Sequence, residues 1–400
     1  MNSDANKIAH NEGPLSGMRV LELGQMIAVP AATHILAGYG AEVIKVEDTG
    51  AGDGLRYFGS KKDGISGWFA NANWGKRSIA VDIKSENGKE VLWSLLDTTD
   101  IFVEGYRFGV MDRLGFGYDT VKARNPKIIY CASSGFGPEG PYADRPVYDP
   151  LIQGLSGWAG MQVSDGQPTL IRGMVADKVG AYTNAQAILA AVIHRERSGN
   201  GSLVQTNMIE SNLAFVWSDV MMDCTLLDDD VQHLPNVLNS YRLYGCTDGL
   251  VAIAPGTDKH WQSMCEVLQP EVYDDKRYHT SVGRGEHNKE WMDTIDQMVK
   301  PYQVATVVDR LQSAEVPVAP VMEPHLVHTD PHIEATGMLT ESEHPFAGKI
   351  RHPRPAAHYL GIELELIPAP KQGEHTGEIL REIGFSDQQV AELTNLGHVK

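Results

Sequence analysis

The stretch KIIYCASSGFGPEGPY, Lys127 to Tyr142, joins an apolar run to a loop in which Gly135, Gly137 and Gly140 form a G-x-G-x-x-G pattern. In a dinucleotide-binding fold these glycines open a helix whose N-terminus faces the pyrophosphate. Here Pro138 and Pro141 flank the third glycine, and PYADRP continues as loop, so the context for a dinucleotide site is missing. A glycine loop that follows a parallel strand still lies at the carboxyl edge of a sheet, where ligands bind. Its bare backbone admits a close ligand and offers N–H groups to developing negative charge, which makes Gly135 and Gly137 candidate oxyanion donors.

Outward from this loop, short aliphatic runs alternate with amphipathic stretches. MRVLEL, AEVIKVE, SIAVDI, DIFVEG, KIIYCASS and SLVQTNM read as strands, while AATHILAGYG, NGKEVLWSLLDTT and Asp177 to about Arg197 read as helices. Repeated strand–helix–strand units imply an α/β fold with a mostly parallel sheet. IESNLAFVWSDVMMDCTLL reads as one long helix running into Asp228–Asp230. YRLYGCTDGLVAIA then reads as a hairpin with Asp248-Gly249 at its turn. The expected organisation is a large domain over 1–200, a linker over 201–237 and a small α+β domain over 238–322. A second linker over 323–345 and a C-terminal return to the large domain over 346–400 complete it.

The 400 residues carry a formal net charge of −18, which argues against a nucleic-acid partner. The polar N-terminus lacks the apolar core of a signal peptide, and AILAAVI, Ala187 to Ile193, is too short to span a bilayer, so a cytoplasmic location without a membrane partner is expected. Cys131, Cys224, Cys246 and Cys265 are scattered without a C-x-x-C, which points to reduced thiols. His325, His328 and His332 crowd together, but Pro324 and Pro331 break the segment and no helical spacing aligns the rings, so no metal site is expected.

The most informative carboxylate is Asp177, at the mouth of a small-residue helix with Gly173 and Ala176 before it and Gly180 after it. One reading is an N-cap. The other is a nucleophile or proton acceptor, kept ionised by the helix terminus and left accessible by its small neighbours.

Across nearly the whole length, the chain resembles the family III CoA-transferases of the formyl-CoA and carnitine CoA-transferase type. The likeness rests on PLSGMRVLEL, GAEVIKVED, GKRSIAVDIKS, DIFVEGYRFGVMDRLGF, GFGPEGPY, VADKVGAY, RERSGNGSLVQTNMIES and VPVAPV. The resemblance implies a Rossmann-like large domain, a smaller second domain and an interlocked homodimer. It implies that Asp177 attacks an acyl-CoA thioester, giving an aspartyl anhydride and then an aspartyl-CoA thioester that passes CoA to an acceptor carboxylic acid. It further implies that coenzyme A, entering as acyl-CoA, is held by Arg107 and Arg113, with Lys84 a weaker candidate. Tyr106 would lie near the adenine, and Ile27 and Ala28 along the pantetheine arm.

The resemblance has departures. The glycine run that covers the site in formyl-CoA transferases has IAPGTDKHW as its counterpart here, so oxalate and formate specificity is not carried over. Related α-methylacyl-CoA racemases place a His before an Asp where this chain has Tyr148-Asp149. Racemisation needs a base on each face of the α-carbon, so transfer is favoured, with an acyl-CoA racemase or isomerase using Asp177 and Asp149 as the alternative. Trp68, Tyr142, Trp158, Met161 and Tyr182 are candidates for an acceptor pocket, and Arg172 for a second carboxylate.

Overall fold

The computed structural model describes residues 13–164, 166–234, 236–359, 362 and 367–400; most of the polar N-terminal segment lies outside them. Two compact units are present, one formed by the chain up to Asp219 together with Leu339–Lys400, the other by Val220–Met338.

The larger unit is built on six parallel strands: β1 (Arg19–Leu23), β2 (Glu42–Glu47), β3 (Lys76–Ala80), β4 (Ile101–Glu104), β5 (Ile129–Ser134) and β6 (Ser202–Asn207). Their spatial order is 3-2-1-4-5-6, the order of doubly wound sheets. Alternation within the strands explains why both faces are covered. Leu21, Ile44, Phe102 and Tyr130 enter one core, while Val20, Val43, Ile101 and Ile129 enter another.

Helix α1 (Ala28–Ala37) follows β1, and α2 (Glu86–Leu96) starts at the Ser85 N-cap, whose hydroxyl accepts the Gly88 N–H. Later come α3 (Asp149–Leu155), α4 (Val175–Ser198) and α5 (Met208–Trp217). Helix α4 is rich in Ala and Gly on its buried side and packs against α1 and α5; Gly199, at φ 74°, ends it in the left-handed conformation.

Residues 202–217, expected to open a linker, are instead the edge strand β6 and α5. The helix read over 209–227 stops at Trp217, where the Ser218 hydroxyl donates to the Phe215 carbonyl and draws the last turn into a local bond. Within the stretch expected as a second linker, Leu339–His344 pairs antiparallel with Gly348–Pro353.

In the smaller unit, β7 (Leu243–Gly245) and β8 (Leu250–Ile253) form the expected hairpin, closed by the Cys246 N–H to Gly249 carbonyl bond at 2.8 Å, and β9 (Val318–Pro320) adds a third antiparallel strand. Trp261, Trp291, Tyr244 and Leu311 centre its core. Among the described residues no helix is long and apolar enough to cross a membrane.

Candidate active site

Strand order reverses between β1 and β4, so the loops after these strands flank the crevice where open α/β sheets take ligands. The β1 loop approaches its neighbour closely. A Cβ on Gly24 would lie 2.4 Å from Val29 Cγ1, so only glycine lets α1 begin there.

Beneath this loop lies a sealed ionic network. Lys45 Nζ is 2.6 Å from Glu22 and 2.8 Å from Asp53, and Lys76 Nζ is 2.8 Å from Glu22; all four side chains are fully buried. The network grips the loop's backbone from below. Lys45 donates to the Gly24 carbonyl, Lys76 to the Pro30 carbonyl, and Asp53 accepts the Met26 N–H. Met26 is held at φ 63°, a left-handed conformation costly for a side-chain-bearing residue. Burial raises the proton affinity of Glu22, but the two lysines overcome it and hold the carboxyl near 2; burial lowers Lys76 to about 8. None of these four residues carries a sequence signal, because their partners lie between 8 and 54 positions apart.

Ile27 and Ala28 ride on the clamped loop. The Ala28 carbonyl accepts from Asn184 Nδ2 at 3.4 Å, and a Cβ on Gly180 would meet Ala28 Cβ at 3.9 Å. The loop thus lies against the first turns of α4, the helix that starts with Asp177. Helix α4 runs back against the strands to feed β6, so it begins at the carboxyl edge of the sheet. Asn184 bonds Ser133 near the end of β5, and Asp177, two turns earlier, stands roughly 10 Å beyond that level at 1.5 Å per residue.

Asp177 is not an N-cap. Met174 holds that position, and Asp177 is the third helical residue. Nor is it open, being 9% exposed. Of the six buried carboxylates among the described residues, Glu22, Glu47, Asp53, Glu104 and Asp149 all accept hydrogen bonds. The carboxylate of Asp177 has no such donor among the described residues. Burial first, and the charge of Asp149 second, raise its pKa from 3.8 to about 7. Burial and the Asp149 charge thus favour the protonated form, against the ionising influence expected from the helix terminus.

Asp149 explains how α4 is capped. From 28 positions upstream its Oδ2 accepts the Asp177 backbone N–H at 3.0 Å, and its Oδ1 accepts the Gln153 side-chain amide. Both oxygens are engaged in holding structure, which weakens the case for Asp149 as a proton carrier. Tyr148 beside it is 66% exposed. A Cβ on Gly135 would lie 2.2 Å from Val147 Cγ1, so this glycine lets the segment leading to Asp149 cross the β5 loop. Gly137, at φ 82°, already donates its N–H to Ser134 Oγ at 3.1 Å, so as an oxyanion donor it would have to exchange that partner. Phe136 and Val147 pack with Ile152, Ala176 and Met208, which ties the glycine loop to the starts of α3 and α4.

After β4, Arg107 and Arg113 are exposed and flank one tight turn, and the Arg113 guanidinium lies 3.4 Å from where Gly109 would carry a Cβ. Neither has an ion-pair partner among the described residues. Tyr106 is half-buried and its N–H donates to Glu104, whose carboxyl burial raises to about 7. Lys84 follows β3, three strand spacings from β4, roughly 14 Å, and is not brought to the arginines.

The aromatic candidates separate. Trp158 is buried and donates to Asn212, Trp68 packs on Phe58, and Tyr182 is 59% exposed. Tyr142 stacks edge-on with Phe136 and lines, with Leu155 and Leu213, an apolar cavity of about 270 Å³ beside the glycine loop. Met161 and Arg172 lie at the surface. The smaller unit holds a cavity of about 1100 Å³, lined by Tyr241, Arg284, Trp291 and the segment Ala252–Gly256. His325, His328 and His332 fall in a turn and a short helix, and among the described residues no cluster of metal-ligating side chains is present.

Among the described residues, exposed cations without an ion-pair partner and a buried carboxylate without a hydrogen-bond donor thus lie at the carboxyl edge of a doubly wound sheet, where open α/β sheets take ligands. The profile of CoA-transferase family III matches residues 15–376, and the chain belongs to that family. It is 30% identical to the Homo sapiens succinyl-CoA:glutarate CoA-transferase over 99% of this chain and 91% of that protein. It is 33% identical to the Haloarcula hispanica succinyl-CoA:mesaconate CoA-transferase, over 93% of this chain and 97% of that one. The crystal structure of a CAIB/BAIF family protein from Brucella suis superposes with a TM-score of 0.81 at 29% identity, covering 93% of this chain and all of that one. The protein is accordingly an enzyme of the family III CoA-transferase type.

Proposed function

We propose that this enzyme moves CoA from an acyl-CoA donor to a carboxylic acid through covalent intermediates on Asp177. The observation that carries the reading is the state of Asp177: buried, without a hydrogen-bond donor among the described residues, and at the mouth of α4 beside the clamped β1 loop. Desolvated and unpaired, its anion is a stronger nucleophile than a hydrated carboxylate.

A carboxylate oxygen of Asp177 attacks the thioester carbonyl, the C–S bond breaks, and CoA leaves as thiolate, which departs readily because its conjugate acid has a pKa near 8.5. The thiolate attacks the aspartyl carbonyl of the anhydride and releases the donor acid, leaving an aspartyl-CoA thioester. The acceptor carboxylate attacks that thioester and expels the thiolate, giving a second anhydride; the thiolate then attacks the acceptor-derived carbonyl, forming the new acyl-CoA and releasing the Asp177 carboxylate. Each intermediate stays activated, so no ATP enters, and exclusion of water protects them. Arg107 and Arg113 would pair with CoA phosphates, a task suited to guanidinium groups without carboxylate partners.

The names of the relatives point to short dicarboxylic acids as acceptors, with succinyl-CoA as the first donor to test. An interlocked homodimer and a cytoplasmic location belong to the same proposal. The test incubates the protein with succinyl-CoA, traps with hydroxylamine or borohydride, and maps the product by mass spectrometry. Modification at Asp177 is expected; turnover with Asp177 unmodified refutes the covalent route.

A further inference from the structure

Beside Asp149 lies a buried side chain that uses both ends of its amide. Gln153 is 1% exposed and sits one turn into α3. Its amide nitrogen donates to Asp149 Oδ1, and the carbonyls of Gly173 and Ile171 lie at 3.1 and 3.2 Å from the same nitrogen. Its amide oxygen accepts the Ile171 N–H at 2.9 Å. One side chain therefore ties the carboxylate that caps α4 to the segment that leads into α4.

The chemistry of the position is restrictive. Two N–H groups meet three acceptors, and the oxygen meets a donor, so both ends of the amide are used. A carboxylate there would face Asp149 and two carbonyl oxygens with no proton to offer. An aliphatic group would leave those oxygens without partners in a buried place. The tether also spans what the helix cannot supply for itself. Met174, the N-cap of α4, makes no side-chain cap, so the orientation of its first turn rests on Asp149, and that of Asp149 on Gln153.

Building on the covalent reading above, we infer that Gln153 is a positioning residue for Asp177. It fixes the Asp149 carboxylate and residues 171–173 so that the first turn of α4 presents the nucleophile at one place and angle. Among the described residues Asp149 is the ionisable group whose charge acts on Asp177, so displacing Asp149 changes both the aim and the titration of the nucleophile.

The test compares Gln153→Leu, similar in size without the hydrogen bonds, and Gln153→Glu, similar in shape with one more charge. Both are assayed with succinyl-CoA, with rates referred to the folded, CoA-binding fraction. For Gln153→Leu, kcat is expected to fall ten- to a hundredfold, with KM for the thioester changed less than about twofold, the signature of a misplaced reacting group. For Gln153→Glu, the pH midpoint of kcat/KM is expected to move up by roughly one unit from its wild-type place near 7, because a second carboxylate disfavours the ionised nucleophile.

A merely structural Gln153 would lower melting temperature and yield while the rate per folded Gln153→Leu enzyme stayed at the wild-type value, and that result overturns the inference. If Gln153→Leu does not fold, Gln153→Met is assayed in its place, with the same split between kcat and KM expected. Asp177→Asn is measured alongside: if it retains wild-type turnover the covalent reading itself falls, whereas its inactivity beside normal Gln153 variants sinks only the role of Gln153.

Discussion

Replacing Asp177 with Asn should make the protein more stable, and more so as pH rises. The folded protein holds the Asp177 proton up to about pH 7, against 3.8 for the unperturbed group. Between these values the native state keeps a proton that the unfolded chain has lost. Stability therefore falls as pH climbs through that window, and the penalty is complete above the folded pKa. At 1.36 kcal/mol per unit, the shift of about three units corresponds to at most about 4 kcal/mol above pH 7, and to about 2 kcal/mol at about pH 5.

Asparagine has the same shape and no charge, so it mimics the protonated carboxyl at every pH. With an unfolding entropy of about 2.1 cal/mol/K per residue, the advantage corresponds to a rise in melting temperature of about 2 °C at about pH 5 and about 5 °C at about pH 8. Scanning calorimetry of both proteins across this range, each referred to its own value at the lowest pH, reads the difference. Turnover should meanwhile drop by roughly a thousandfold or more, as for other lost nucleophiles. A melting-temperature difference that does not vary with pH, or one that favours wild type at alkaline pH, would refute the argument that burial of an unpaired carboxylate is what tunes this site.

Two further variants probe the proposed ligand crevice and the network beneath it. Arg107→Ala with Arg113→Ala removes two exposed, unpaired cations; stability should stay within about 0.5 kcal/mol, while KM for the acyl-CoA rises about ten- to a hundredfold by loss of charge-assisted phosphate bonds, measured by steady-state kinetics. Unchanged KM would move the phosphate site elsewhere. Lys76→Met deprives Glu22 of one of its two buried cations and frees the Pro30 carbonyl; a loss of about 3–5 kcal/mol is expected in urea unfolding. A loss under about 1 kcal/mol would mean that Lys45 alone neutralises Glu22.

Much of this was legible beforehand. Strand runs and amphipathic helices alternate with the right periods, and parallel crossovers leave few ways to arrange them, so an α/β fold with a large parallel sheet followed. Long matching blocks pointed to the family, which the profile match bears out. After residue 201 the strand and the start of a helix are legible in their periods, but that they belong to the large unit, and that the helix ends at Trp217, is not, because the edge pairing with β5 joins residues about 73 positions apart.

Residue order by itself placed a carboxylate at a helix mouth and a glycine loop after a strand, because capping patterns and turn chemistry act over a few positions. Whether that carboxylate is charged, what caps its helix and what clamps the facing loop were decided only on folding. Asp149 reaches Asp177 across 28 positions, and Lys76 reaches Glu22 across 54. Proton affinity depends on which groups share a dry interior, and hydrogen bonding on distances of about 3 Å; neither is written in the chain until the crossovers of the sheet bring those side chains together.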